Sequence, residues 1–214
     1  LRAGSYLVLS ERSLNETFEP AAYWSANAAI EEALSNPFQG TDAEAVDLLE
    51  SQLRTSISDQ MVSDVPLGAF LSGGVDSSTV VALMQQQSSR PIRTFSIGFD
   101  EPGYDEAVYA KAVAEHIGTD HTELYVNSKD ALDVIPSLPK IYCEPFGDSS
   151  QIPTLIVSGL ARQQVTVALS GDGGDELFGG YNPYQFTPRV WRMMERFPHS
   201  MRRFASAFAQ DLPL

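Results

Sequence analysis

Short apolar segments alternate with stretches of helical spacing along most of the chain. The apolar segments cover residues 68–71, 93–99, 121–126 and 164–169. Between them, alanine and other apolar residues recur every three or four positions, as in 105–116 and 154–162, which indicates helices. Strands that alternate with helices in this way build right-handed βαβ units and a parallel sheet covered on both faces. The pattern therefore predicts an α/β fold with a doubly wound parallel sheet.

A long amphipathic helix is predicted ahead of the first apolar segment. Thr41, followed three residues later by Glu44, is the capping-box pattern that marks the start of a helix. Apolar residues then recur at helical spacing to about residue 63, and Pro66 ends the helix. Weaker patterns predict a short strand at 6–9, a domain edge and linker at 10–40, and helices at 129–135 and 190–208. We interpret the last of these as a packing helix rather than a membrane anchor.

The first apolar segment runs directly into a glycine turn and then a helical pattern. N–H groups at the start of a helix have no intrahelical partner, and with the helix dipole they form a site for phosphate. The turn offers glycines for close backbone approach and hydroxyls as donors: Gly73, Gly74, Ser72, Ser77 and Ser78. Asp76 would repel phosphate unless a divalent cation lies between them. The alternative is an ordinary strand-to-helix turn with a serine cap.

The fourth apolar segment leads into residues 170–181, which hold five glycines and three acidic residues. Glycine lets the backbone approach a ligand closely, and carboxylates are oxygen ligands of the kind that Mg²⁺ takes. If the two loops leave neighbouring strands, Asp76 and Asp175 would share metal-bound pyrophosphate. A calcium loop of the EF-hand type is a competing interpretation, but it requires glutamate where Tyr181 stands. A solvent-exposed acidic turn is the other alternative.

Charge and cysteine content narrow the classes of partner. The 214 residues carry 14 Lys and Arg against 28 Asp and Glu, a net charge of −14. Such an acidic chain disfavours nucleic acid and an anionic membrane as partners. A single cysteine excludes an internal disulfide framework, and neither a signal peptide nor an apolar run of membrane-spanning length is present. We therefore expect a cytoplasmic setting.

Isolated reactive side chains are assigned no chemistry. Cys143 is predicted to be a buried small residue rather than a reactive thiol. The histidines lack the spacing of metal ligands and are predicted to be structural or surface residues: His116, His121 and His199.

Two motifs carry a family resemblance. Residues 72–77, Ser-Gly-Gly-Val-Asp-Ser, resemble the pyrophosphate loop of the PP-loop ATP pyrophosphatases. With residues 169–181, and with the segments 94–99, 105–106 and 144–148 in the same order, the chain resembles the synthetase domain of glutamine-hydrolysing asparagine synthetases. The resemblance implies an adenine nucleotide alpha hydrolase-like fold. It also implies that residues 1–36 are the end of an N-terminal glutaminase domain with its linker, and that 37–214 are part of the synthetase domain.

In that family, the aspartate side-chain carboxylate attacks the α-phosphorus of ATP to give β-aspartyl-AMP and pyrophosphate, and ammonia then displaces AMP. The resemblance thus implies an ATP- and Mg²⁺-dependent ligase that uses aspartate and ammonia or glutamine. The implied contacts are Leu71 and Ile97 with adenine and ribose, Ser72, Gly73, Gly74, Ser77 and Ser78 with pyrophosphate, Ser170 and Gly171 with the nucleotide, and Asp76 and Asp175 with Mg²⁺. Asp172 and Asp175 are the implied catalytic residues, although the dedicated enzyme carries glutamate at position 172.

The chain also departs from the family. It lacks the N-terminal cysteine nucleophile of the glutaminase domain, and the family's synthetase domain continues with a lysine that helps to bind phosphate. We therefore expect this length of chain to be inactive or at best ammonia-dependent, with the glutaminase domain as a partner in the full-length protein and a homodimer left open. Glu144 and Asp148 either face the amino-acid substrate or stabilise their loop.

Three other functions are weighed against the leading one. A related amidotransferase acting on another carboxylate, such as a sugar acid or a secondary metabolite precursor, differs only in the substrate pocket. A tRNA-thiolating PP-loop enzyme is disfavoured by the charge of −14 and the single cysteine. The last is a non-catalytic nucleotide-binding module.

Overall fold

A computed structural model describes residues 1–9, 19–99, 106–145, 147–198 and 201–202. Several residues and segments named in the sequence predictions lie outside the described residues: the linker stretch 10–18, Asp105, Phe146, His199 and the helical stretch 203–208. The chain divides into two compact units, 1–52 and 53–214, which are described separately.

The first unit begins with a small antiparallel sheet. Strand β1 (Ser5–Tyr6) pairs with β2 (Ala21–Ala22). The predicted strand at 6–9 is therefore wrong beyond Tyr6, because β2 offers only two residues for pairing.

Helices follow this sheet. Helix α1 (Ala26–Ser35), which no sequence pattern predicts, lies inside the stretch interpreted as a domain edge and linker. The start of α2 (Asp42–Gln60) confirms the predicted capping box. The Thr41 N–H donates to Glu44 Oε2 at 2.7 Å, and the Glu44 N–H donates to Thr41 Oγ1 at 3.3 Å.

The second unit alternates strands and helices, as the hydrophobic pattern predicts. Its elements are β3 (Leu67–Phe70), α3 (Val75–Gln87), β4 (Arg93–Phe99), α4 (Ala107–Ile117), β5 (Asp120–Val126), α5 (Ser128–Val134), a 3₁₀ turn (Ile135–Ser137), α6 (Leu138–Ile141), α7 (Gln151–Ala161), β6 (Val167–Leu169), α8 (Gly174–Phe178) and α9 (Asn182–Met194).

The four strands of this unit form one parallel sheet in the order β5-β4-β3-β6. Ala69 of β3 pairs with Thr94 of β4 on one side and with Leu169 of β6 on the other. The β4–β5 pair is the longest and runs over seven residues of each strand. The central strand β3 therefore joins a well-paired half of the sheet to the short edge strand β6.

Alternating side chains along β3 divide the apolar core between the two faces of the sheet. On one face, Ala69 and Leu71 pack with a cluster drawn from α2, α3, α4 and the approach to β4: Ile57, Val81, Leu83, Met84, Ile92, Ala110 and Ala114. On the other face, Phe70 and Phe95 pack with Ala161 and Val165 at the end of α7. Helices cover both faces, so the predicted doubly wound α/β sheet is confirmed.

Three element boundaries differ from the predictions. Strand β6 is shorter than the predicted 164–169, because a turn follows α7, in which the Val165 N–H donates to the Ala161 carbonyl at 2.8 Å. Helix α7 begins before the predicted residue 154 and α9 before residue 190. Among the described residues, no helix is both long and apolar enough to cross a membrane.

Candidate functional site

Two loops meet at the carboxyl edge of the sheet. The first loop, residues 71–74, joins β3 to α3, and the second loop, residues 170–173, joins β6 to α8. β3 and β6 are parallel neighbours. Since parallel strands end at the same edge of a sheet, the two loops lie side by side although they are far apart in sequence. The two loops thus leave neighbouring strands, which is the condition stated above for Asp76 and Asp175 to share metal-bound pyrophosphate.

Hydrogen bonds among three residues hold the first loop. The hydroxyls of Ser72 and Ser77 are 2.9 Å apart, and Ser77 Oγ accepts from the Ser72 N–H at 3.2 Å. The Gly74 N–H donates to Ser72 Oγ at 3.2 Å. Gly74 is the N-cap of α3, and it makes no side-chain hydrogen bond to the start of the helix. The helix start thus lacks a side-chain cap, as an anion site at its N–H groups requires.

Gly73 occupies a position that only glycine suits. Its φ is +80°, and a Cβ built on it would lie 2.6 Å from the backbone N of Ala110 and 2.7 Å from the carbonyl carbon of Tyr109. The first loop therefore packs directly against the first turn of α4, with backbone on backbone.

The second loop and the start of α8 pack through glycines against the first turn of α3. A Cβ on Gly171 would lie 2.6 Å from the backbone N of Ser77. A Cβ on Gly174 would overlap the carboxylate of Asp76, which is itself half-buried. Glycine at these two positions is thus explained by the close contact with α3.

Both loops line one cavity of about 720 Å³. Its lining includes ten residues named in the sequence analysis: Leu71, Ser72, Gly74, Asp76, Ser77, Ile97, Ser170, Gly171, Asp172 and Asp175. Two residues named with them lie elsewhere, since Gly73 contacts α4 and Ser78 lies in a groove between α3 and α4. The Leu71 side chain is 1% exposed and packs in the core.

Seven further residues that line the cavity were not predicted from the sequence. Four are apolar and three are polar: Phe70, Phe95, Pro153 and Val157, then Ser96, Glu106 and Thr154. Ser96 precedes Ile97 at the carboxyl end of β4, so its position in a strand was the available signal. No pattern in the chain points to α7 as part of the site.

The acidic residues of the second loop have different partners. Asp172 is exposed, and its Oδ2 accepts from the Ser170 hydroxyl at 3.0 Å. Glu176 accepts from the Tyr181 hydroxyl at 2.8 Å, and this bond raises the pKa of Tyr181 to about 12. Asp175 is half-buried in the first turn of α8 and lines the cavity with Asp76.

The carboxylates of Asp76 and Asp175 fit a magnesium ion only with help from a ligand. The described part of the chain contains no group of three or more His, Cys, Asp or Glu side chains that could hold a metal ion. Mg²⁺ commonly takes one or two carboxylates and completes its shell with phosphate oxygens and water. Two acids on one cavity beside a helix start meet that requirement.

The irregular stretch before α7 lies apart from this cavity. Asp148 Oδ1 accepts from the Ser150 N–H at 2.8 Å, which lowers the pKa of Asp148 and supports the loop-stabilising interpretation. Cys143 and Glu144 line a separate cavity of about 420 Å³. Cys143 is exposed, so the prediction of a buried thiol is wrong; the residue lies in the turn after α6 and outside both core clusters.

His121 is half-buried beneath α4 and bonds to two hydroxyls of β4. Its Nδ1 lies 2.9 Å from Thr94 Oγ1, and its Nε2 lies 3.1 Å from Ser96 Oγ. Burial lowers the pKa of His121, the Glu123 carboxylate opposes this, and the Lys111 ammonium reinforces it. These contacts agree with the structural role predicted for His121.

We expect acid to destabilise the fold through His121. Its pKa is lower in the folded chain than the ordinary value of 6.5, so the unfolded chain binds more protons between the two values. The stabilisation is complete above pH 6.5 and is lost as the pH falls through the folded pKa. Urea unfolding between about pH 7.5 and 5.5 should show a smaller loss of stability for His121→Gln than for the wild type.

His116→Gln is the matched control for this prediction. It removes an imidazole from the exposed surface of α4 without touching Thr94 or Ser96. An acid-induced loss in His121→Gln equal to that of the wild type would contradict the prediction.

Known proteins resemble this chain over most of its length. A Methanocaldococcus jannaschii protein with the provisional name asparagine synthetase [glutamine-hydrolyzing] 2 is 52% identical over 130 residues, which are 60% of this chain and 25% of that protein. Asparagine synthetase [glutamine-hydrolyzing] 1 of Bacillus subtilis is 34% identical over 177 residues, which are 83% of this chain and 28% of that protein. The chain thus spans about a quarter of the length of these relatives.

A solved structure shows a weaker likeness. The NH3-dependent NAD synthetase of Campylobacter jejuni aligns with a TM-score of 0.44 at 11% identity, over 64% of this chain and 60% of that one. This likeness is too low to bear on function. The family model of asparagine synthase matches residues 48–213. That match covers well over half of the chain and confirms the expected class of fold. The chain belongs to the asparagine synthase family.

Proposed function

We propose that this chain carries the ATP-binding part of a ligase that adenylates the side-chain carboxylate of aspartate. One observation supports this most strongly: two glycine loops leave neighbouring parallel strands and line one cavity with Asp76 and Asp175, and the second loop packs against the start of α3. The first loop supplies N–H donors for the pyrophosphate of ATP, and Ser170 and Gly171 contact the nucleotide. Ile97 and the backbone at Leu71 border the adenine and ribose.

The reaction proposed for this site leaves charge on pyrophosphate. The aspartate carboxylate forms a bond to the α-phosphorus of ATP, and the bond to the β-phosphate oxygen breaks to release pyrophosphate. Asp76 and Asp175 would hold Mg²⁺, which offsets the negative charge of the phosphates when it is bound. The free N–H groups at the start of α3 stabilise the same charge. Ammonia then displaces AMP to give asparagine, with Asp172 beside the reacting groups.

Ammonia would come from glutamine in the full-length protein. We propose that residues 1–36 complete a glutaminase domain and its linker, and that 37–214 belong to the synthetase domain. The antiparallel pair of β1 and β2 within the first unit supports a separate origin for this end of the chain.

Aspartate-dependent exchange of pyrophosphate into ATP tests the proposal. The full-length protein that contains this chain should catalyse the exchange with aspartate as the only carboxylate, and removal of Mg²⁺ with EDTA should abolish it. Glutamate and sugar acids serve as control acceptors. Exchange supported by another carboxylate but not by aspartate would overturn the aspartate assignment and favour the related amidotransferase.

A further inference from the structure

Ser96 belongs to both the cavity and a buried chain of hydrogen bonds behind it. Ser96 lines the cavity, although the residue is only 3% exposed. Its hydroxyl lies 3.1 Å from His121 Nε2. The other ring nitrogen of His121 lies 2.9 Å from Thr94 Oγ1, which is also 2.9 Å from Thr119 Oγ1. A line of hydroxyls and one imidazole therefore runs from Thr119, in the half-exposed turn after α4, to Ser96 at the cavity.

We propose that His121 is a positioning residue that acts through Ser96 and makes the Ser96 hydroxyl a hydrogen-bond donor to the nucleotide. This inference rests on the proposed function, because it requires a nucleotide in the cavity. It adds two residues, Ser96 and His121, to those assigned to the site from the sequence.

The direction of the hydrogen bonds decides what Ser96 offers a ligand. If Thr119 donates to Thr94 and Thr94 donates to Nδ1, neutral His121 carries its proton on Nε2. Nε2 then donates to Ser96, whose own hydrogen is free for an acceptor in the cavity. In the opposite direction, Ser96 donates to Nε2 and offers the cavity only a lone pair. Phosphate oxygens and the ring nitrogens N1, N3 and N7 of adenine are acceptors, so a bound nucleotide selects the first arrangement.

The charged groups near His121 do not determine which of its two ring nitrogens carries the proton. Glu123, on the same face of β5, accepts from Lys111 of α4 at 2.8 Å, so these opposite charges pair with each other. Thr94 is fully buried and Ser96 is 3% exposed, so the two hydroxyls that contact the ring are largely shielded from water. Among the residues that the structure describes, neither ring nitrogen of His121 is bonded to a charged group. The tautomer is therefore set by the hydroxyls and by the ligand.

Binding of Mg·ATP to variants of the full-length protein that contains this chain tests the coupling. Ser96→Ala and His121→Ala should each raise the dissociation constant roughly tenfold, the size expected for one lost hydrogen bond to a ligand. The double variant should bind no more weakly than either single one, because the two residues act as a unit. His121→Gln, whose amide can still donate to Ser96, should bind within about threefold of the wild type.

Thr122→Ala is the matched control for lost hydrogen bonding in β5. Thr122 follows His121 directly, so it points to the other face of the sheet, and it accepts from Gln164 at 3.1 Å. Its affinity for Mg·ATP should be unchanged. Equal losses in this variant and in His121→Ala would indicate general loosening of the sheet and would overturn the proposal.

Nitrogen NMR of the imidazoles gives a readout that a purely structural role would not move. The chain has three histidines, and His121→Gln assigns the relevant signals. Saturation with Mg·ATP should shift the His121 ring toward the form protonated on Nε2. Ring signals that stay unchanged on binding would overturn the inference while leaving the proposed function intact. A wild-type chain that fails to bind Mg·ATP at all would instead reject the proposed function.

Discussion

Replacing Asp76 with asparagine is expected to weaken Mg·ATP binding by more than about 100-fold, since changes to the outer partners of a metal site already cost 10- to 100-fold. Asparagine keeps the shape that fits against Gly174 but removes the charge that a metal needs. Isothermal titration of the 214-residue chain with ATP and Mg²⁺ measures the effect.

When this titration is repeated in EDTA, we no longer expect Asp76→Asn to weaken the binding of ATP. Without a metal, the Asp76 carboxylate repels the phosphates, so Asp76→Asn should bind ATP no more weakly than the wild type. Cys143→Ala is the control, because Cys143 is exposed and lines a different cavity. Wild-type affinity in Asp76→Asn with Mg²⁺ present would reject Asp76 as a metal ligand.

Gly73→Ala should destabilise the fold by about 3 kcal/mol, which combines left-handed backbone strain with overpacking. The added methyl group would meet backbone atoms of Tyr109 and Ala110 at 2.6 to 2.7 Å, and these cannot move unless α4 moves. Since the first loop would shift with them, nucleotide binding should weaken as well. Urea unfolding of the variant chain measures the first effect and titration with Mg·ATP the second.

Gly118→Ala separates the two causes of this loss. Gly118 has φ +82°, nearly the same as the +80° of Gly73, but a Cβ on it would meet nothing within 4 Å. Its replacement should therefore cost only the strain of the left-handed backbone, about 1 kcal/mol. Equal losses of stability in the two variants would show that the contact between the first loop and α4 contributes nothing.

The sequence predicted the central strands β3 and β4 well because they are buried on both faces. A strand such as β4, with Phe95 in one core and Thr94 fully buried on the other side, must be a short apolar run with few charges. Helix α1 escaped prediction because the turn-forming residues on either side of it, Pro20 and Asn36-Pro37, indicated a linker. The shortness of β6 had no sequence signal, since it depends on how α7 ends.

The sequence predicted the chemistry of the two loops, but it did not predict which atoms pack against them. Glycines and acids at strand ends indicate a phosphate and metal site from local chemistry alone. The reason for glycine at position 171 is a backbone atom of Ser77, which only the pairing of β3 with β6 brings near. Ser96 and His121 were missed for the same reason, because hydroxyls and imidazoles acquire a role from their neighbours across strands.

The late position of β6 in the chain has a consequence for folding. β4 and β5 follow β3 closely and can pair early, whereas the other edge of β3 stays open until residues 167–169 join it. Contacts between distant segments form slowly, and an open strand edge invites pairing with other chains. Because the second loop reaches Asp76 only after this last pairing, a nucleotide that needs both loops would bind the completed sheet alone. ATP would then stabilise the chain in which β6 has paired with β3, and so would protect a newly made chain from aggregation.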